Sequence, residues 1–373
     1  MIINRYLIRE ISKPLLVVLS VLVVIFSSYS AADYLSDAVN GLLPNYTIAK
    51  LIGLRTLIAL EVLIPISLYI SVVVSLSKLY SESEMTAMFA LGVGPRRVMG
   101  AVLTLSLALA GGVACLSLLV RPWAYESSHE TVNQAEADLN FDEMQAGNFY
   151  ESPQGSRVIF IGRRDGSQKI MRNVFVKLER HNMVQVIHAR EAYQVSGKGD
   201  SGPVITFIGA HVYEIGRRDD GNDHILSAKK MILHLKQPHP EPPGYSSVAS
   251  DSATLGASDA PADVAELQWR VSTPLTTLLL GLLGVPLSRV KPRQGKYAKM
   301  GFAILIYSGY YLLCTTARTW VQKGVVGSFP GIWWAPGLLA LVLIIALVEP
   351  EVFSRIIARR AAPRTAPDRG AKR

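Results

Sequence analysis

Long stretches without one charged side chain alternate with short polar ones along most of the chain. The charge-free runs are 14–32, 62–77, 98–120, 271–288, 300–317 and 324–348. Eighteen helical residues rise about 27 Å, enough with flanking anchors for a hydrocarbon core. Each run therefore predicts a spanning helix, and the short second run extends through Thr56–Leu60 past one acid, Glu61. Six spans are expected. None has the short apolar core and small-residue cleavage site of a signal peptide, so the first is expected to stay.

Between spans three and four the pattern changes. "RVIFIG", "NVFVKL", "MVQVIHAREAYQV", "PVITFIG", "HVYEIG" and "HILSAKKMILHL" are β-branched and aromatic runs, parted by Gly- and Asp-rich turns such as "RRDGSQ" and "SGKGDSG". This predicts an antiparallel sandwich, roll or barrel. Polar residues 124–140 before it read as a continuation of span three. The Pro/Ser/Ala-rich stretch 238–263 after it reads as a flexible loop. The expected fold class is thus an α+β membrane protein. The expected layout is spans one to three in 1–122, the β-domain in 123–268, spans four to six in 269–352 and a basic tail in 353–373.

Several strands are apolar on both faces, which a small half-wetted sheet does not need. Val158 and Phe160 point one way, Ile159 and Ile161 the other, and "VITFIG" repeats the pattern. One explanation is a two-sheet sandwich whose edges meet a membrane or partner. The other is a greasy groove, with Phe160, Ile161, Phe207 and Ile208 as its wall.

Composition agrees with a membrane class. The chain is half apolar by count and carries a net charge of +9. Short loops rich in Lys and Arg set orientation. Arg5, Arg9 and Lys13 mark the N-terminus; Lys78, Arg96 and Arg97 the second loop; Arg289, Lys291, Arg293, Lys296 and Lys299 the fourth; and the tail is Arg-rich from Arg355 on. Both ends are expected in the cytoplasm and the β-domain outside. Trp123, Trp269, Trp320, Trp333 and Trp334 then fall at outer span ends, as an interfacial belt would. Arg55, Arg121, Arg270, Arg318 and Lys323 lie there too, against the bias. Singly they read as snorkelling anchors; together they suit the phosphates of a multiply phosphorylated lipid.

Catalytic signatures are missing. There is no G-x-x-x-x-G-K-[ST], no H-E-x-x-H, no G-x-S-x-G and no Cys pair. Cys115 and Cys314 lie inside spans and read as packing residues. The seven His are scattered, and Glu61 is the lone span acid. No enzyme activity, cofactor, metal or nucleic-acid partner is expected. Any transport would need a motor elsewhere.

One stretch could receive that motor. In "KLYSESEMTAMFALGVGPRRVMG", Ser81 and Glu84 fit a capping box, and Glu82 and Glu84 suit a helix start. Met85, Met88 and Phe89 share one side. The expected element is a helix of about ten residues over 81–92, ended by Gly92 and Gly94-Pro95. It reads either as an interfacial helix or as one that docks on a cytoplasmic ATPase.

"MIINRYLIRE", "KLYSESEMTAMFALG" and "AELQWRVSTPLTTLLLGLLGVPLSRVKPRQGK" resemble the lipopolysaccharide export permease family, from Met1 to about Val352. The resemblance implies a bacterial inner-membrane subunit of an ABC transporter, with a periplasmic β-jellyroll. It implies lipopolysaccharide as substrate and a paralogous G permease (LptG) as partner. Two ATPase subunits (LptB), a single-span subunit (LptC) and a periplasmic bridge protein (LptA) complete the set. The family's functional coupling acid falls on Glu84. Where members often carry bases at the outer end of span one, this chain has Asp33 and Asp37. Two other classes remain: a non-transporting scaffold that anchors a β-domain, and a membrane enzyme acting on lipids. A scaffold does not need a docking helix, and an enzyme needs clustered nucleophile, acid or metal ligands.

Overall fold

The computed structural model describes residues 2–39, 45–137, 146–151, 157–165, 170–180, 183–195, 204–216, 224–234, 246–289 and 300–361. The basic loop at 290–299, with its Pro-Arg-Gln-Gly motif, and the tail beyond 361 lie outside them. Two compact units result: Met1–Ile25, Leu57–Trp123 and Ser247–Arg373 in the first, Phe26–Thr56 and Ala124–Ser246 in the second.

The first unit is a helix bundle. Its elements are the first part of α1 (Ile2–Val39) and the later part of α2 (Asn45–Ser81), whose residues 26–56 belong to the second unit, with the short α3 (Glu84–Ala90), α4 (Pro95–Cys115), α6 (Ser252–Gly256), α7 (Pro261–Leu287), α8 (Met300–Gln322) and α9 (Trp334–Ala361). α4 runs through one π-helical turn, Leu116–Val120, into α5 (Arg121–Ala137). Among the described residues five helical stretches are long and apolar enough to cross a membrane: Ile2–Tyr34, Tyr46–Ser81, Pro95–Val132, Pro261–Leu287 and Met300–Gln322. The sixth charge-free run does not form one helix. Its first part, around Gly324 and Gly331 at positive φ, makes turns, so the apolar helical segment shortens to Trp334–Val348. Absence of charge does not tell such turns from helix; Gly324, Gly327, Pro330 and Gly331 do.

Helical stripes build the cores. Leu7, Ile11 and Leu15 on α1 recur every fourth residue and bury against Leu68, Val72, Leu76 and Leu79 of α2 and Val98 and Val102 of α4. A second core joins α2 and α7 to α8 and α9 through Tyr69, Leu280, Leu283, Tyr307 and Leu339. Two glycines let α7 approach closely, as small residues do between membrane helices. A Cβ at Gly284 would lie 2.7 Å from Val72 Cγ1 and 3.0 Å from its Cβ. A β-branched side chain has little freedom to move aside. Gly284→Ala should therefore cost about 1–3 kcal/mol, read as a lower unfolding temperature in detergent. An unchanged temperature would mean that α2 and α7 separate freely.

The second unit holds one six-stranded antiparallel sheet with every strand beside its sequence neighbour. The strands are β1 (Phe149–Glu151), β2 (Arg157–Asp165), β3 (Ile170–Arg180), β4 (Met183–Val195), β5 (Val204–Gly216) and β6 (His224–His234). Two runs of the sequence, "PVITFIG" and "HVYEIG", merge into the single β5. Among the described residues there is one sheet and not the two of a sandwich.

A break in the pleat crosses the sheet. Each ladder from β2 to β6 passes over one level, formed by Gly162, Asn173, Arg190, Gly209 and Lys229. Asn173 and Gly209 have φ of 56° and 61° there, a region that suits Asn and Gly. Buried residues change parity across this level: Met171 then Val174 on β3, Ala189 then Ala192 on β4, Phe207 then Ala210 on β5. A strand whose inward side switches midway reads in sequence as apolar on both faces. One bent face, not two apolar ones, carries the core, with Tyr150, Ile159, Ile161, Val174, Val176 and Ile187 among its residues. Ile48 and Leu51 of α2 join it.

Candidate functional site

Three of the five predicted outer bases converge on one carboxylate. Glu266 on α7 is fully buried and accepts from Arg121 Nε at 2.8 Å, Arg270 Nε at 3.0 Å and Arg318 Nη2 at 2.5 Å. Arg121 reaches a second acid, its Nη1 lying 2.7 Å from Glu61 Oε2. Ser117 donates to the other oxygen of Glu61 at 3.0 Å. Ser117 lies within the π-helical turn and Arg121 directly follows it, where the widened helix turns both toward Glu61. Arg318 also lies over the Trp269 ring, 5.0 Å from its centroid, a cation–π geometry.

Arg270 has every donor engaged. Besides Glu266 it donates to the Ser250 carbonyl and the Ser252 hydroxyl through Nη1, and to the Ser247 and Val248 carbonyls through Nη2. The segment before α7 is therefore strapped to it. Residues 246–263, expected to belong to a flexible loop, contain turns, α6 capped by Asp251, and the start of α7. Residues 238–245 of that loop lie outside the described set.

This arrangement gives three of those bases partners within the chain itself. Arg121 and Arg270 are only 5 % and 0 % exposed, and their guanidinium groups are turned to carboxylates and carbonyls of the chain itself. Arg55 is in the other unit and half-exposed, paired with Asp33 at 2.6 Å and lying over Tyr34. Lys323 is exposed. The sequence carried a partial signal for the cluster, an i,i+4 Glu266–Arg270 pair in an apolar helix and a lone Glu61. Its long-range partners, Glu61, Arg121 and Arg318, are far apart in sequence and carry no local pattern.

α3 differs from its expected form. It is seven residues long, and Ser83, not Ser81, precedes it, at φ 61° and without a side-chain cap. Ser81 still belongs to α2 and donates back to the Lys78 carbonyl at 2.9 Å, so the capping box does not form. The Met/Phe stripe packs inward: Met85 is fully buried, and Met88 and Phe89 pack on the same core. Phe89 meets Tyr80 edge-on. What α3 and the turn before it show to their surroundings is acidic and small: Glu82 in the turn, and Glu84, Thr86 and Ala87 on the helix.

The four predicted groove residues divide between the two faces of the sheet. Ile161 and Phe207 are buried in its core. Phe160 and Ile208 point to the opposite face, where the Phe160 ring lies tilted against Phe149 with centroids 4.6 Å apart and Ile208 is exposed. Among the described residues no group of three or more His, Cys, Asp or Glu is placed to hold a metal ion.

Long apolar helices, one antiparallel sheet and buried charges used only in pairing define a multi-pass membrane protein with a β-domain. The family model for the lipopolysaccharide export system permease LptF/LptG matches residues 5–349. The chain is 30% identical over 360 residues to the lipopolysaccharide export system permease protein LptF of Escherichia coli strain K12, covering 93% of this chain and 94% of that protein. The proteins of the same name from Escherichia coli O157:H7 and Shigella flexneri are similar to the same extent. The chain belongs to the LptF/LptG family of lipopolysaccharide export permeases, and it is an inner-membrane protein.

Proposed function

We propose that this chain is one transmembrane half of an ATP-driven exporter that lifts lipopolysaccharide from the inner membrane toward a periplasmic β-bridge. Both termini and α3 face the cytoplasm in this reading, as the Lys/Arg bias of the short loops supports. The sheet is periplasmic. The other half is the paralogous G permease; two ATPase subunits supply the hydrolysis; a single-span C subunit and the bridge protein take the lipid onward. The observation that carries the reading is α3, a short acidic element set between two long apolar helices, with its apolar side fixed to the bundle and Glu82 and Glu84 exposed.

The apolar window of α1 is only 11% buried by the rest of the chain, against 50% for α2. Leu16, Val17, Val21, Val24 and Ile25 are all exposed along it. Such a helix suits a boundary with the second permease and the lipid between them. Arg55 and Lys323, the two bases that remain exposed or half-exposed, are the phosphate contacts in this reading.

Reconstitution tests it. Vesicles carrying this chain with the G permease, the ATPase and the C subunit should pass lipopolysaccharide to soluble bridge protein only when ATP is hydrolysed. Vesicles lacking this chain should not. ATP-independent transfer, or equal transfer without the chain, would leave it a scaffold.

A further inference from the structure

α3 has no side-chain cap, and Ser83 ahead of it sits at φ 61°. The orientation of Glu84 comes from α1 instead. The Tyr6 hydroxyl donates to Glu84 Oε2 at 2.6 Å, between residues 78 positions apart. Next to Glu84, Met85 is fully buried in the cluster that holds Leu7 and Ile11 of α1. One turn along α1, Glu10 accepts from Lys78 at 3.0 Å and from Lys13 at 3.1 Å. Ser75 donates to the Glu10 carbonyl at 3.1 Å. The first turns of α1 are thus fastened to α3 and to the end of α2 that leads into it.

We propose that Tyr6 is the positioning residue that presents Glu84 to the ATPase and passes movement of α3 on to α1. The inference rests on α3 as the docking element. A charge-assisted hydrogen bond fixes one rotamer of an otherwise exposed carboxylate. The apolar window of α1 is the least buried of the five spans, so beyond its first turns few contacts within this chain oppose its displacement.

The test uses the assembled exporter and reads lipopolysaccharide moved per ATP hydrolysed. Tyr6→Phe keeps the ring and removes only the donor. It should lower that ratio about threefold to tenfold, with the ATPase still bound and the unfolding temperature of the complex unchanged. Glu84→Asp keeps the charge but withdraws it by one methylene, and should match Tyr6→Phe. In a Glu84→Ala background Tyr6→Phe should add nothing. A normal ratio for Tyr6→Phe beside a defective Glu84→Ala overturns the role of Tyr6 and leaves α3 as the docking element. Additive losses overturn it as well, since Tyr6 would then act elsewhere. Normal export by Glu84→Ala overturns the docking reading and this inference with it.

Discussion

Glu266→Ala protein will fail to accumulate in the membrane, or will unfold many degrees below the parent in detergent. Three guanidinium groups point at that one carboxylate, and two of them, Arg121 and Arg270, are buried. A buried ion pair adds little net stability over an apolar substitute, but removing one partner leaves the other charge stranded. The cost is about 3–5 kcal/mol for one stranded partner. That is a large share of the total stability of a typical domain. Glu61 can still take Arg121, but nothing comparable is bonded to Arg270 except carbonyls and a hydroxyl. Glu61→Gln should therefore be milder, because it affects Arg121 and Ser117 alone. Membrane levels and unfolding temperatures of the two variants check the order. Equal, parent-like values for Glu266→Ala would mean that water reaches the arginines and that the cluster is not dry.

The same cluster marks where sequence reading ends. Spans are legible because an uncharged helix-length run has one cheap environment, and each of the five described crossing helices contains such a run. Glu266 sits only six residues into α7 beside ordinary helix formers, and its partners arrive from α5 and α8. Strands β2, β3, β4 and β6 coincide with β-branched runs, but the inward side of β5 could not be assigned. A period of two fixes a face only while the pleat continues. At Gly209 it does not, and no residue pattern distinguishes a glycine that breaks a strand in two from one that bends it. For α3 the error was local. Ser81 has the acid at the capping-box spacing, Glu84, but α2 runs on through Ser81 and α3 begins after Ser83.

A photo-crosslinking residue at Ile161 or Phe207 will capture lipopolysaccharide during ATP hydrolysis, and one at Phe160 or Ile208 will not. The two pairs lie on opposite faces of one sheet, so the contrast needs no comparison between domains. Acyl chains gain about 0.8 kcal/mol per methylene, and only where water is excluded. The inner face meets that condition. Beside the bend it carries small side chains, Ala189 opposite Ala210 and Ala210 opposite Ala228. The outer face does not meet it: Ile208 has Glu191 and Lys230 as register neighbours, and Arg163, Arg172 and Arg190 are exposed nearby. Ile48 and Leu51 of α2 pack on the inner face, so entry of a chain must displace existing contacts. Capture should therefore depend on turnover and vanish with an ATPase that binds but does not hydrolyse. Equal capture on both faces would mean that lipid reaches the sheet from bulk. Capture on neither would make the domain a docking platform, with the acyl chains passing through a partner's sheet.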